Sequence, residues 1–204
     1  MAKGSIFIVS GPSGVGKGTV VKKILERKED IFLSVSCTTR APRTGETEGE
    51  SYYYISKEEF EKRIKEGYFI EWERYVDNYY GTPKAPLIKA LEEGKSSILE
   101  IEVNGAFKAK ESYPDAVLVF VAPPENEELK RRIMKRDEGN ETALAALDKR
   151  IRRAKEEYEF IKDYDYIIVN DDVEECTMRL NDIIRAESMR VKNNHCLIEK
   201  LKKD

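Results

Sequence analysis

The sequence has few of the residues that build disulfides, zinc sites or histidine-based active sites. Its 204 residues include three cysteines and one histidine. Cys37, Cys176 and Cys196 are odd in number and lack the spacing of metal ligands, and His195 stands alone. This pattern disfavours a disulfide framework, a zinc site and histidine catalysis. We therefore expect the protein to work in a reducing compartment, the cytoplasm.

Long apolar runs and an excess of basic charge are also missing. No stretch approaches the roughly 18 apolar residues of a membrane helix, so we expect no membrane partner. The formal net charge is −3, which does not suit a nucleic-acid-binding surface. The N-terminal residues lead directly into a short apolar run and a glycine loop, unlike a signal peptide. With 40% hydrophobic and 37% charged residues, the chain is typical of one globular domain.

Short apolar runs typical of buried strands alternate with helical patterns along most of the chain. The runs are Ile6–Val9, Ser97–Ile101, Ala116–Val121 and Tyr166–Val169. A strand that is buried on both faces reads as a continuous apolar run, because helices cover both sides of a parallel sheet. The alternation therefore predicts an α/β fold with a doubly wound parallel sheet.

Residues 37–82 interrupt this alternation and predict an inserted α+β subdomain. They contain turn signals, a tyrosine-rich segment, a short helix that Ser56 and Glu59 would cap as a capping box, and a strand near 69–76. The next helix is expected to begin with Thr82 as its cap and Pro83 in its first turn. The predicted parts are a core (1–36, 83–130 and 150–190), an insertion (37–82), an arginine-rich lid (131–149) and a tail (191–204).

A glycine-rich loop between the first predicted strand and helix is typical of phosphate binding. Its residues are Gly11, Pro12, Ser13, Gly14, Val15, Gly16, Lys17, Gly18 and Thr19. Successive backbone amides and a helix N-terminus suit a phosphate, and Lys17 adds a point charge for the outer phosphates. The strict pattern has Ser or Thr where Gly18 stands, so Thr19 or water would replace that hydroxyl near a magnesium ion. The loop predicts ATP binding and is compatible with nucleoside monophosphate kinases in general.

Further segments resemble the guanylate kinase family and occur in family order from about Ser5 to Ala186. They are residues 36–46 (SCTTRAPRTGE) with Gly49 and Tyr52, 69–72 (FIEW), 78–82 (NYYGT), 100–105 (EIEVNG), 122–124 (APP) and 168–172 (IVNDD). The resemblance implies a P-loop kinase with a GMP-binding insertion and a helical lid. It implies transfer of the γ-phosphate of ATP to GMP or dGMP, with Mg²⁺ as cofactor, in purine nucleotide metabolism.

The resemblance implies that four residues hold the phosphate of GMP, namely Arg40, Arg43, Tyr52 and Tyr80. Their chemistry agrees, since a phosphate dianion suits permanently charged guanidinium forks and hydroxyl donors. The alternative for the arginines is a solvated charged loop. For the tyrosines, including Tyr53 and Tyr54, it is packing in a half-buried strand.

Glu71 is the predicted reader of the base. Guanine presents N1–H and its 2-amino group as adjacent donors, which match the two oxygens of an ionised carboxylate, whereas adenine has an acceptor at N1. By resemblance, Ser36 and Thr82 donate to the guanine 6-oxygen, and Glu102 lies near the amino group. The alternative for Glu71 is a solvated strand residue.

Phosphoryl transfer depends mainly on positioning and on neutralising charge. By resemblance, the catalytic residues are Lys17, Arg40, Arg132, Arg136, Arg150 and Glu100. The resemblance also implies that Asn170 lines the adenine pocket and that Mg²⁺ binds mostly through phosphates and water near Thr19 and Glu100. The chain departs from the family at Glu102, where aspartate is common, at Asn104, where glutamine is common, and in a lid lengthened at 137–140.

Two other functions compete with this hypothesis. One is a non-catalytic guanylate kinase-like domain that binds phosphopeptides, which the intact loop and Lys17 disfavour. The other is a kinase of another phosphorylated acceptor, such as a ribose bisphosphate, which Glu71 and Ser36 disfavour because a sugar offers no base edge. The expected partners are therefore ATP and GMP or dGMP.

Overall fold

The computed structural model describes residues 4–28, 30–43, 45–75, 77–136, 145 and 147–203. The strands are β1 (Ile6–Ser10), β2 (Ile31–Ser34), β3 (Cys37–Thr38), β4 (Tyr53–Tyr54), β5 (Phe69–Tyr75), β6 (Asn78–Pro83), β7 (Ser96–Glu100), β8 (Val117–Ala122) and β9 (Tyr166–Val169). The helices are α1 (Lys17–Arg27), α2 (Lys57–Lys65), α3 (Lys84–Glu92), α4 (Val103–Ser112), α5 (Asn126–Arg136), α6 (Leu147–Tyr158), α7 (Val173–Ser188) and α8 (His195–Leu201), with short 3₁₀ segments at Ile161–Asp163 and Val191–Asn193.

The larger sheet is parallel, with strand order β2-β7-β1-β8-β9. Strands β1 and β8 are buried along their whole length, which explains why both read as continuous apolar runs. The predicted α/β fold with a parallel sheet core is confirmed. The edge strand β2 was not predicted, because its two central residues are only half-buried and its sequence is short.

Hydrophobic clusters cover both faces of the parallel sheet. Because side chains alternate along a strand, Phe7 and Val9 join the cluster that includes Leu180 of α7, whereas Ile8 joins the cluster that includes Leu87 of α3. Strand β1 is therefore packed between the two clusters. Its carboxyl end therefore presents the glycine loop at one edge of the core.

A second, four-stranded sheet has the order β4-β3-β6-β5 and its own small core. Cys37, Phe60 and Phe69 are buried there, and the rings of Phe60 and Phe69 stack with centroids 4.5 Å apart. The Ser56 hydroxyl accepts a hydrogen bond from the Glu59 amide at 3.1 Å, which confirms the Ser56 half of the predicted capping box of α2. The Glu59 carboxylate accepts from Arg63 at 2.7 Å.

The predicted start of α3 is wrong. The helix begins at Lys84 with Pro83 at the N-cap, and Thr82 belongs to β6. The Thr82 hydroxyl donates to Glu71 at 2.6 Å, while the Lys84 amide donates to the Tyr68 carbonyl at 3.0 Å. The amide of the first helical residue therefore finds its partner in the residue that precedes β5.

Two further predictions concern the lid and the tail. The lid's lengthening at 137–140 lies outside the described residues, as do 141–144 and 146; α5 and α6 flank this part of the lid. The tail contains α8, on which Leu197 and Leu201 are exposed. Over the described ranges, every helix is too short or too polar to cross a membrane.

Candidate active site

A cleft of about 730 Å³ lies where the loop after β1 faces the second sheet. The predicted site residues that line it are Ser13, Gly14, Gly16, Lys17, Gly18, Thr19, Ser36, Arg40, Arg43, Tyr52, Glu71, Tyr80, Glu100, Glu102, Arg132, Arg136 and Asn170. The predicted site residues outside this lining are Gly11, Pro12, Val15, Thr82 and Arg150. The fold thus gathers residues from both sheets and from α5 around one cavity.

The phosphate loop is shaped by glycines and by contacts to backbone carbonyls. Gly14 and Gly16 adopt φ of 91° and 98°, which favours glycine. Lys17 is buried at the start of α1, and its Nζ donates to the Gly11 carbonyl at 2.6 Å. Asn170 Nδ2 donates to the Val15 carbonyl at 2.7 Å. The loop and the N-terminus of α1 together form a concave site for an anion.

The two acids predicted for the site, Glu100 and Glu102, lie at the end of β7 and at the start of the next helix. Glu100 is the last residue of β7, whereas Glu102 is the N-cap of α4. A Cβ added at Gly18 would lie 3.4 Å from Glu100 Oε2, so this carboxylate sits beside the first turn of α1. Burial raises the pKa of Glu100, the charge of Lys17 opposes that rise, and Glu102 adds to it. Both acids line the cleft.

The predicted GMP-phosphate residues converge on the other side of the cleft. The Arg40 guanidinium lies 5.5 Å from the centre of the Tyr52 ring, and the rings of Tyr52 and Tyr80 are 5.9 Å apart. Arg43 lines the same wall. Burial is the main cause that raises the pKa of Tyr52, and the negative charge of Glu100 adds to this rise. The Tyr52 hydroxyl therefore stays a proton donor. These groups form a compact site of two guanidinium groups and two phenols.

Glu46 organises this site, although no role was predicted for it from the sequence. Its carboxylate accepts from Arg40 Nη2 at 2.8 Å, from the Arg43 amide at 2.7 Å and from the Tyr54 hydroxyl at 2.9 Å. Burial acts to raise the pKa of Glu46, but these three hydrogen bonds outweigh it and lower the pKa to about 2. An acid that follows two arginines in a glycine-containing loop was the available signal. Tyr54 therefore forms a hydrogen bond with Glu46 in addition to packing in its strand, and Tyr53 is exposed.

Glu71 is 6% exposed, so it is not a solvated strand residue. Its Oε1 accepts from the Thr82 hydroxyl at 2.6 Å, and its carboxylate lines the cleft. Burial raises the pKa of Glu71 to about 7, although the Thr82 hydrogen bond opposes the rise; Glu73 adds to it and Lys108 opposes it. Thr82 lies behind this carboxylate instead of lining the cleft. Ser36 is buried and lines the same cavity.

The predicted arginines of the lid and of the helix that follows it lie in two places. Arg132 bonds to Glu128 at 2.6 Å and to the Val15 carbonyl at 3.1 Å, and Arg136 approaches Ser13 at 3.4 Å. Both lie over the phosphate loop. Arg150 instead borders a small neighbouring cavity with Ser13 and Glu157.

Arg153 lines the main cleft, although the sequence analysis assigned it no role. It lies three residues after Arg150, so both are on one face of α6 about a turn apart. Its guanidinium bonds to Glu157 at 3.1 Å and lies 3.8 Å from Glu102. Burial raises the pKa of Glu157, and the Glu102 charge adds to that rise. Arg153 was missed because five basic residues follow one another closely in this helix.

The comparisons with known proteins agree with the geometry. Residues 3–187 match the guanylate kinase family model. The chain belongs to the guanylate kinase family. It is 43% identical to a guanylate kinase of Caldanaerobacter subterraneus subsp. tengcongensis, over 99% of this chain and 97% of that protein. It is 48% identical to one of Clostridioides difficile, over 99% and 98%.

Solved structures give the same result. The crystal structure of guanylate kinase from Anaplasma phagocytophilum is 38% identical with a TM-score of 0.79, and the match covers 94% of this chain and 90% of that one. Shikimate kinase from Bacteroides thetaiotaomicron, at 15% identity and a TM-score of 0.51, covers 89% of this chain and 98% of its own. That second likeness concerns the fold alone. The resemblance seen in the sequence is confirmed.

Proposed function

We propose that this protein is a guanylate kinase that transfers the γ-phosphate of ATP to GMP, giving ADP and GDP. The carrying observation is that a buried carboxylate, Glu71, and the Lys17 phosphate loop face one cleft of about 730 Å³. A cavity of this size, with anion sites at two ends and a base-reading carboxylate, suits two nucleotides bound head to head. Membership of the family supports the same reaction.

The acceptor nucleotide binds to the inserted sheet in this proposal. The phosphate of GMP takes donors from Arg40, Arg43, Tyr52 and Tyr80, while ionised Glu71 accepts from guanine N1–H and the 2-amino group. Adenine would place an acceptor against that carboxylate and leave both groups unpaired, which is a strong basis for discrimination. Ser36 lies in the same cavity, and in this proposal its hydroxyl donates to the 6-oxygen of guanine. Thr82 acts through Glu71, since its hydroxyl bonds to that carboxylate.

The donor nucleotide binds to the loop. Backbone amides of the loop and Lys17 hold the outer phosphates of ATP, and Arg132 and Arg136 neutralise charge on the transferring group. The family resemblance implies that Arg150 joins from the helix that follows the lid, and Arg153 of the same helix lines the cleft. Asn170 holds the loop from behind through the Val15 carbonyl. The reaction is thus in-line transfer between two positioned phosphates.

Magnesium fits the donor side. Mg²⁺ prefers hard oxygen ligands and keeps several waters and substrate phosphates. The Thr19 hydroxyl lines the cleft, and the Glu100 carboxylate lies beside Gly18, whose lack of a side chain leaves this space open. When bound with ATP, the ion would neutralise phosphate charge. Within the described ranges, three or more His, Cys, Asp or Glu side chains do not cluster as a metal site, so phosphates and water would supply most ligands.

The alternatives are less well supported. A non-catalytic scaffold domain does not require a buried Lys17 in an intact phosphate loop. A sugar-phosphate kinase does not require a buried Glu71 where the acceptor binds. We further propose that residues 37–82 form the GMP-binding unit and 131–149 the lid, and that the enzyme works in the cytoplasm in purine nucleotide metabolism. The buried thiols Cys37 and Cys176 suit that reducing compartment.

A coupled assay of ADP formation tests the proposal. The purified protein is given ATP and Mg²⁺ with GMP, dGMP, AMP, UMP or CMP in turn. GMP and dGMP should be turned over far faster than the others, because the site reads base and phosphate. Equal ADP formation with all five acceptors would refute the proposed function, and omission of the acceptor gives the background hydrolysis.

A further inference from the structure

Gly105, in the first turn of α4, lies against the carboxylate of Glu71. It is buried, and a Cβ added there would lie 2.8 Å from Glu71 Oε2 and 3.4 Å from Glu71 Cδ. The first of these separations is well inside ordinary non-bonded contact, so a side chain at this position would force the carboxylate to move.

The backbone does not require glycine at this position. Gly105 is inside a helix, a conformation that every residue except proline adopts readily, and alanine is the more favourable residue in a helix. Glycine therefore weakens α4 locally. The absence of a side chain at Gly105 leaves space for the Glu71 carboxylate.

The carboxylate has little freedom to withdraw from that space. Its Oε1 is bonded to the Thr82 hydroxyl at 2.6 Å, and the residue is 6% exposed. Oε2 is the oxygen on the Gly105 side. A shift of Oε2 by a few tenths of an ångström would therefore turn the whole carboxylate away from its bond with Thr82 or from the cleft.

We propose that Gly105 is a positioning residue for base specificity. By having no side chain, it leaves the Glu71 carboxylate in the orientation that accepts both donors of guanine. This inference rests on the proposed function, since it assigns Gly105 a part in GMP recognition. After Glu71, the next atom near the added Cβ is Glu73 Cγ at 3.9 Å, an ordinary contact, so a methyl group should disturb recognition and leave the fold intact.

Gly105→Ala tests this assignment with GMP and IMP as acceptors, because IMP lacks the 2-amino group. The KM for GMP should rise roughly tenfold or more, as expected when a hydrogen bond to a charged group is lost. The KM for ATP should stay unchanged, the melting temperature should be equal or higher, and the preference for GMP over IMP should shrink. Glu111→Ala, at an exposed position of the same helix, is the control and should behave like the wild type.

A double-mutant cycle with Glu71→Gln separates positioning from a general structural effect. If Gly105 acts through the carboxylate, Gly105→Ala should change the KM for GMP by less than about twofold in the Glu71→Gln background. Additive effects would overturn the inference. So would a Gly105→Ala protein that fails to fold, because only the tip of one side chain should have to move.

The outcomes also separate this inference from the proposed function. A wild-type protein that does not turn over GMP would overturn both. A wild type that prefers GMP, together with a Gly105→Ala variant of unchanged KM and unchanged preference over IMP, would overturn the role of Gly105 alone.

Discussion

The two ends of the cleft are built differently. At the end of the cleft that the proposed function assigns to ATP, called the donor end, Lys17 and Asn170 donate to backbone carbonyls of the loop. This loop rests on the large core of the parallel sheet. At the opposite end, assigned to GMP and called the acceptor end, side chains hold other side chains: Glu46 holds Arg40, and Thr82 holds Glu71. The supporting core of the inserted sheet is also much smaller.

This difference has a chemical reason. A triphosphate is recognised by charge and shape, which backbone amides and one ammonium group supply in many kinases. A base is recognised by the order of its donors and acceptors, which requires a particular side chain in a particular orientation. The acceptor end should therefore be sensitive to small changes in charge and geometry that alter KM for GMP, and the donor end to loss of charge that alters kcat.

Removal of the loop ammonium group should have the largest effect. Lys17→Ala should lower kcat by about 10²- to 10³-fold, as when a preorganised donor to a developing charge is lost. Steady-state kinetics with saturating ATP and GMP measures it. Lys22→Ala, exposed on the same helix, is the control. Near-normal kcat in a folded Lys17→Ala protein would contradict a loop that serves as the ATP site.

Loss of charge at the base-reading position should come next. Glu71→Gln should raise the KM for GMP by roughly 10- to 100-fold, because a charged acceptor for two donors becomes neutral and half of it becomes a donor. The KM for ATP should change little, since Glu71 lies at the other end of the cleft. Glu66→Gln, exposed at the end of α2, controls for the loss of one negative charge. An unchanged KM for GMP would remove Glu71 from base recognition.

The sequence predicted strand β1 and the glycine loop well because their signals are local. A continuous apolar run gives β1, glycines give the turn, and Lys17 stands at a fixed offset from both. The strand and the loop are therefore where they were expected. Strand β2 was missed because its short, half-buried sequence lacks a clear period.

At the acceptor end, the sequence predicted which residues face the cleft better than how they are held. Thr82 reads as a helix cap next to a proline, yet it bonds to Glu71 across two paired strands. The Glu46 bonds to Arg40 and Tyr54 likewise depend on how a loop folds back. The space at Gly105 is visible only once α4 lies against β5. Pairing between elements, which spacing does not encode, decides all of these contacts.

The third prediction concerns Glu46, the acid that holds Arg40, which the proposed function assigns to the phosphate of GMP. Glu46→Gln should raise the KM for GMP by about tenfold. The amide of Gln accepts hydrogen bonds through one oxygen only, and its NH₂ group would face Arg40 or Tyr54, which are themselves donors. Kinetics at fixed ATP measures it, and the KM for ATP should not change. Glu50→Gln, exposed nearby in the same loop, is the control. Equal effects of the two substitutions would show that Glu46 does not position Arg40.

The smallest expected effect is a pH dependence confined to the acceptor end. Burial raises the pKa of Glu71 to about 7, and in the proposed function it is the ionised form that accepts from guanine. As the pH falls from 8 to 6.5, the ionised fraction of the free enzyme drops about fourfold, and the KM for GMP should rise by about that factor. The KM for ATP should not follow. Because the GMP phosphate also titrates in this range, the ratio of wild-type to Glu71→Gln values isolates the carboxylate.

The same shift affects stability with a defined sign. Folded Glu71 holds its proton more tightly than the unfolded chain does between its ordinary pKa and about 7, so this residue should lower the free energy of unfolding as the pH rises through that window. Glu71→Gln should remove that component. Melting temperatures of the two proteins at pH 5 and 8 measure it: the variant should gain most at pH 8. A gain that is equal at both values would mean that Glu71 is already ionised throughout, and the acceptor end would then lose its predicted sensitivity to pH.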